Sequence, residues 1–211
     1  MRTLAMLLLG FVSMGAQSSF GQSASGWVEL FNGKDLTGWR NNGAEKWVVE
    51  DGTILCESTA GKYGYLTTER TFRDFNLRLR FKGEASGNSG VFFHARITGI
   101  DPDHGPDIEG MQVEVDPTPG NHTGGLYESG GRGWVIQPTA EGERAIRSSD
   151  WNDLEVSVKG SHVVTRLNGV QIVDYTDRAP KFTDGAIALQ IHTGGGVKVR
   201  WKDIYVQDFS K

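Results

Sequence analysis

Cysteine is nearly absent from this chain, with Cys56 alone in 211 residues. A lone cysteine excludes an intrachain disulfide and any cysteine-built zinc cage. Basic runs are missing as well. Lys plus Arg number 22 against 26 Asp plus Glu, a formal charge of -4, which argues against nucleic-acid binding by phosphate neutralisation. Long apolar runs are also lacking. The stretch at 4–12 is interrupted by Gly10 and falls well short of the ~20 residues that span a bilayer. From residue 26 onward no segment repeats apolar residues at helical spacing.

Glycine, in contrast, is abundant. The 29 glycines are about one residue in seven, roughly twice the usual share. They accompany six Trp, ten Phe and five Tyr. That mixture predicts many short strands joined by tight turns. Alternation with period two supports it. Residues 74–82 alternate apolar and polar side chains, as do 151–159 through Leu154, Val156 and Val158. Val163, Thr165 and Leu167, then Ile187, Leu189 and Ile191, then Val197, Val199 and Trp201 repeat the pattern. Asn168-Gly169 is a hairpin turn signal because both residues tolerate positive φ. About twelve such strands without helical crossovers predict an all-β sandwich of antiparallel sheets.

The amino terminus reads as an address. Met1-Arg2, the short apolar run, and small residues around Ser19-Phe20-Gly21 predict a secretory signal peptide over 1–21. One mature domain, 22–211, would then work in the periplasm or outside the cell. No membrane contact is expected after cleavage.

Strand parity selects the candidate site. In Asn88–Arg96, inward Val91, Phe93 and Ala95 would leave Phe92, His94 and Arg96 on the opposite face. In 110–116, inward Met111, Val113 and Val115 leave Gln112, Glu114 and Asp116 outward. The run ending at His192 presents Gln190 and His192. Neighbouring strands lie ~4.8 Å apart, so these groups are expected to line one groove.

The opening Trp27-Val28-Glu29-Leu30-Phe31-Asn32-Gly33-Lys34-Asp35-Leu36-Thr37-Gly38-Trp39 resembles that of the 3-keto-disaccharide hydrolase family. So do 88–93, 110–116, 123–127, Trp151-Asn152, Leu167-Asn168-Gly169 and 185–192, in the same order. The resemblance covers 26–207. It implies a concanavalin A-like, jelly-roll sandwich of two curved antiparallel sheets with a ligand groove on the concave face. It also implies a secreted bacterial protein acting on oxidised sugars, with an oligosaccharide or glycoside as substrate. One departure stands out: relatives carry Glu-x-Gln in the central strand, and here Gln112-x-Glu114 is reversed.

Residues 112–116 also resemble the alternating acidic strand of laminarinase-type enzymes, with Gln112 where the first acid would be. An ordinary glycosidase needs two carboxylates, ~5 Å apart for retention and ~6.5–9.5 Å for inversion. A 3-keto sugar relaxes that demand. Its ketone acidifies the C2 proton, and the resulting enolate can expel the substituent at C1; water then adds back. This route needs a base, an acid and an enolate stabiliser. Glu114, His94 and His192 are the candidate catalytic residues, with Glu114 or a His as base. Arg96 or a His would stabilise the enolate. Arg96, Gln112, Asp116, Tyr127, Arg132 and Gln190 are the candidate substrate contacts.

Other motifs are weaker. No cofactor is required, although His94, His192 and Glu114 are residue types that would suit a divalent metal. The acidic segment 101–109 lacks the glycine and terminal acid of an EF-hand loop and is expected to be a lip beside the groove. The glycine-rich segment 121–134 would either offer Tyr127 and Trp134 to a sugar face or form a hairpin over a buried Trp134. Trp27, Trp39 and Trp47 are expected in the core, and Cys56 as an inert buried thiol. A non-catalytic carbohydrate-binding module and a conventional glycosidase remain the alternative functions.

Overall fold

Period-two alternation becomes two packed antiparallel sheets in the computed structural model, which describes residues 26–85 and 87–210. The expected signal segment lies outside the described residues. In chain order the strands are β1 (Trp27–Glu29), β2 (Trp39–Asn42), β3 (Lys46–Glu50), β4 (Thr53–Glu57), β5 (Gly64–Phe72), β6 (Phe75–Gly83), β7 (Ser89–Asp101) and β8 (Gly105–Val115). They continue as β9 (Leu126–Ser129), β10 (Gly133–Ile136), β11 (Asn152–Lys159), β12 (His162–Leu167), β13 (Val170–Thr176), β14 (Gly185–Ile191) and β15 (Lys198–Asp208). Among the described residues there is one short helix, α1 (Ala140–Glu143), capped by the Thr139 side chain, which accepts from Gly142 N. The near-absence of helix among the described residues agrees with the sequence.

One sheet has eight strands in the order β13-β12-β11-β6-β15-β4-β3, with β1 also paired to β15. The other has seven, in the order β10-β9-β8-β7-β14-β5-β2. Their facing sides form the core, where Ile54, Phe72, Phe75, Leu77, Phe81, Val113, Leu189 and Trp201 are almost fully buried. Each such large side chain contributes roughly 1.5–3 kcal/mol on burial. Trp39 and Trp47 belong to this core. Trp27 does not: it is half-buried, with the Arg78 guanidinium 4.5 Å above its ring. Cys56 is buried and unpaired, its thiol pushed up to about 12 by burial, which makes it inert as a nucleophile.

The two sheets treat their outer faces differently. β6 and β11 alternate buried and accessible residues, the signature of a sheet with one wet face. The adjoining lengths of β7, β8 and β14 are buried on both faces. On the outside of the seven-stranded sheet, Tyr65, Phe92, Ala95, Ile108 and Ala188 form a second apolar cluster. This cluster and the polar residues beside it make the floor of a groove.

Candidate active site

The groove has a volume of about 570 Å³, within the range of small-molecule sites. β8, β7 and β14 supply its floor. On regular stretches of β8 and β14, parity carries Gln112, Glu114 and Gln190 outward, as the sequence predicts, and His192 follows directly after β14. Gly90 pairs with Glu114 across β7 and β8. A Cβ at Gly90 would lie 2.7 Å from Gln112 Nε2, so only glycine leaves room for the amide there.

Glu114 is 3% exposed. Its Oε1 accepts from Asn88 Nδ2 at 2.7 Å and its Oε2 from Gln112 Nε2 at 2.7 Å. Gln112 Nε2 also reaches Gln190 Oε1 at 3.3 Å. Burial, and secondarily the Asp116 charge, pushes the Glu114 carboxyl up to about 8, against the opposing Asn88 hydrogen bond. A carboxylic acid protonated at neutral pH and facing a groove is suited to donate a proton.

His192 has a defined tautomer by elimination. Its Nδ1 lies 3.0 Å from the Thr193 carbonyl oxygen, which can only accept, so Nδ1 carries the proton. In the neutral ring Nε2 is then an acceptor, and the Tyr63 hydroxyl donates to it at 3.3 Å. β8 and β14 flank β7, so the backbones bearing Glu114 and His192 are ~10 Å apart. An acid and an imidazole acceptor thus stand on two sides of one small floor.

Aromatic rings form the walls. Tyr63 and Tyr65 stack with centroids 6.2 Å apart. Tyr127 and Trp134 meet edge to face at 5.5 Å, and Trp134 is 39% exposed, which decides against a buried hairpin tryptophan. Asp107 and Glu109 line the groove, as expected of the acidic lip, while no Lys or Arg occurs among the described lining residues. That balance disfavours an anionic ligand.

Four expected site residues are elsewhere. A bulge in β7 at His94, with φ 50, resets parity: Phe92 and Ala95 face the groove side, whereas Phe93 joins the inter-sheet core. His94 contacts Phe75 and Phe93 and pairs through Nε2 with the Arg73 carbonyl at 2.9 Å. Burial holds its pKa below the usual histidine value. Arg96 is ion-paired to Asp184 at 2.7 Å and lies over the Phe182 ring. Neither lines the groove. Asp116 spends its carboxylate on the following turn, accepting from Thr118 N and Asn121 Nδ2. His94 is therefore not gathered with His192 and Glu114, and among the described residues no group of three or more His, Cys, Asp or Glu is placed to hold a metal.

Arg132 is the fourth. It forks between Glu128 (2.7 Å) and Asp177 (2.5 Å), both nearly buried, and holds both carboxyls below their usual range. Arg132→Leu would strand two buried anions. The expected loss is about 3 kcal/mol, the lower end for breaking a buried pair, because the Arg132 side chain is itself 40% exposed. Urea unfolding at pH 7 measures it. The carboxyl pKa values are depressed, so the stabilisation is complete above the unfolded values near ~4 and fades as pH falls below them. A wild-type–variant gap that does not shrink at pH 3 contradicts this assignment.

Strand parity does not select Tyr63, Tyr65 or Asn88 as groove residues. The Tyr63-Gly64-Tyr65 spacing, which sets two phenols on one parity, is the signal the sequence offers for the first two. Asn88 precedes its strand and carries none.

Comparison with known proteins bears on this site. A 3-keto-disaccharide hydrolase from Bacteroides thetaiotaomicron is 26% identical over 180 residues, covering 76% of this chain and 62% of that protein. The chain therefore spans less than two thirds of that relative's length. A solved protein from Parabacteroides distasonis, assigned provisionally as a glycosyl hydrolase, superposes with TM-score 0.65 at 20% identity, covering 90% of this chain and 96% of that one. The carbohydrate-binding module CBM66 from Bacillus subtilis superposes with TM-score 0.57 at 14% identity, covering 79% and 93%. At such identities these two speak for the sandwich fold alone. The model of the 3-keto-alpha-glucoside-1,2-lyase-like domain matches residues 26–207, a span that takes in both sheets and every groove residue named above, and the chain belongs to that family.

Proposed function

We propose that this chain is a carbohydrate-active hydrolase that cleaves 3-keto-glycosides by elimination followed by hydration. The observation that carries the reading is Glu114, a buried carboxyl pushed up to about 8 on the groove floor, across from His192, whose Nδ1 faces a carbonyl and whose Nε2 faces the Tyr63 hydroxyl. His192 is the base toward C2. Glu114 protonates the C1 oxygen as the aglycone leaves. Water then adds at C1 and returns its proton to Glu114, and C2 regains a proton from the base. The floor amides supply donors for the ketone oxygen as negative charge develops there. The expected signal peptide would place this chemistry in the periplasm or outside the cell.

Direct displacement has less support. Glu109, another groove acid, sits five residues from Glu114 on the same strand, ~16 Å along it, beyond the separations of either glycosidase class. Asp116 is nearer but turned to its own loop. A purely binding module would have no use for the acid and the imidazole.

The test is aglycone release from a glucoside and from its 3-keto derivative, run in D₂O. Release from the 3-keto compound alone, with deuterium at C2 of the product sugar, is expected. Release with the original C2 hydrogen retained would return the case to direct displacement, and binding without any cleavage would leave a carbohydrate-binding module.

A further inference from the structure

The base assigned above has its lone pair already occupied: His192 Nε2 faces the Tyr63 hydroxyl. A substrate proton must either displace that hydroxyl or travel through it. Two features make displacement difficult. First, the loop carrying Tyr63 is pinned. The buried Glu45 carboxylate accepts backbone N–H bonds from Thr59, Ala60 and Lys62. Burial would raise this carboxyl, but those donors outweigh it and hold it below the usual range. Tyr63 N donates to the His104 carbonyl at 2.8 Å. Gly43 and Gly105, both at positive φ, admit the Tyr63 backbone so closely that a Cβ on Gly105 would collide with its carbonyl oxygen and one on Gly43 would crowd it at 3.0 Å.

Second, the loop is tied to the segment that carries the histidine. The Gly61 carbonyl accepts from Gly194 N at 2.8 Å and from Thr193 Oγ1 at 2.7 Å. The Thr193 carbonyl in turn accepts from His192 Nδ1. The Tyr63 ring is also held against Tyr65 at 6.2 Å and the His192 ring at 4.9 Å. Phenol and imidazole are thus cross-linked into one preorganised unit, the condition for proton transfer without rearrangement. The phenol stays protonated at working pH, since burial raises its pKa.

We propose that Tyr63 is a catalytic residue, a relay whose phenol oxygen takes the C2 proton of the sugar as its own proton passes to His192 Nε2. The inference rests on the hydrolase reading. The C2–H bond breaks, and its electron pair forms the enolate. The enolate expels the C1 oxygen, which takes the Glu114 proton. On the return, water bonds to C1 and gives a proton to the Glu114 carboxylate. The Nε2 proton passes to the Tyr63 oxygen as that oxygen delivers its proton to C2. Neither oxidant nor reductant is consumed.

Tyr63→Phe tests the relay, because it keeps the ring and its stacking. Two rates are measured on the 3-keto glycoside in D₂O: exchange of the C2 hydrogen by NMR, and aglycone release. Both are expected to fall about 10²-fold, the scale of general acid–base help, with KM within threefold of wild type and an unchanged melting temperature. A Tyr63→Phe protein that exchanges C2 as fast as wild type, or faster because Nε2 is uncapped, overturns the relay while leaving the hydrolase reading in place. A wild-type protein that neither exchanges C2 nor releases aglycone overturns both.

Discussion

Replacing Glu114 by Gln is expected to lower kcat for aglycone release by about 10²–10⁴-fold, the contribution of a positioned general acid, with KM little changed. Gln keeps the shape of the side chain and accepts from one of the two amides that donate to Glu114. The Asn88 amide, whose Oδ1 has no partner, turns to accept from the new Nε2, but Gln has no proton to give the leaving oxygen. The loss should be smallest for aglycones that are themselves good leaving groups, since those need least protonation. The pH profile carries the sign. If the protonated form is the working form, kcat/KM falls as pH rises through the free-enzyme value of about 8; an ascending limb there would make Glu114 the base instead. Stability responds to the same proton in a lower window, which ends where the activity loss begins. The folded pKa lies above the unfolded one near ~4.3, so between those values the native state holds the extra proton and stability declines as pH rises. Glu114→Gln removes that decline. The variant should therefore melt higher than wild type at pH 8 and alike at pH 4. Full activity in Glu114→Gln would defeat the assignment.

The second large effect lies away from the chemistry, at Gly185. The His94 bulge of β7 is wedged between two glycines on its neighbours, Gly110 of β8 and Gly185 of β14, with φ 147 and 155. A Cβ at Gly110 would stand 3.0 Å from Ala95 Cα, and one at Gly185 only 2.6 Å from Ala95 N, with His94 carbonyl carbon closer still. All of these are backbone atoms with no rotamer to escape into. Gly185→Ala combines an unfavourable φ with that overlap. Strain of 1–3 kcal/mol and overpacking of similar size give an expected destabilisation of about 4 kcal/mol, read by urea unfolding. Because the bulge turns Ala95 toward the groove side, where it packs beside Phe92, the variant should also lose groove binding under conditions where it remains folded. A Gly185→Ala protein as stable as wild type would show that the bulge is not held by close backbone approach.

Those two residues mark the boundary between what was legible beforehand and what was not. Alternation is a local property, and it identified the all-β sandwich and the Asn168-Gly169 turn, whose φ values are 51 and 83. It also identified Gln112, Glu114, Gln190 and His192 as outward-facing, since no bulge separates them from the inward residues beside them. The motifs of 26–207 pointed to the family for a related reason: they are short, ordered and contiguous. Parity failed beyond Phe93 because a bulge shifts the side chains that follow it to the other face, and β7 has a further irregularity between Ile97 and Gly99. That bulge depends on glycines 16 and 91 residues away in sequence, brought alongside only when β8 and β14 pair with β7. His94 and Arg96 left the groove in this way. Tyr63 and Asn88 entered it because loops, which have no period, were pinned by distant carboxyls at Glu45 and Glu114. The unaided sequence determined which strands exist and which way the regular ones face; strand neighbours and buried hydrogen bonds, which act between residues far apart in the chain, decided which polar groups meet.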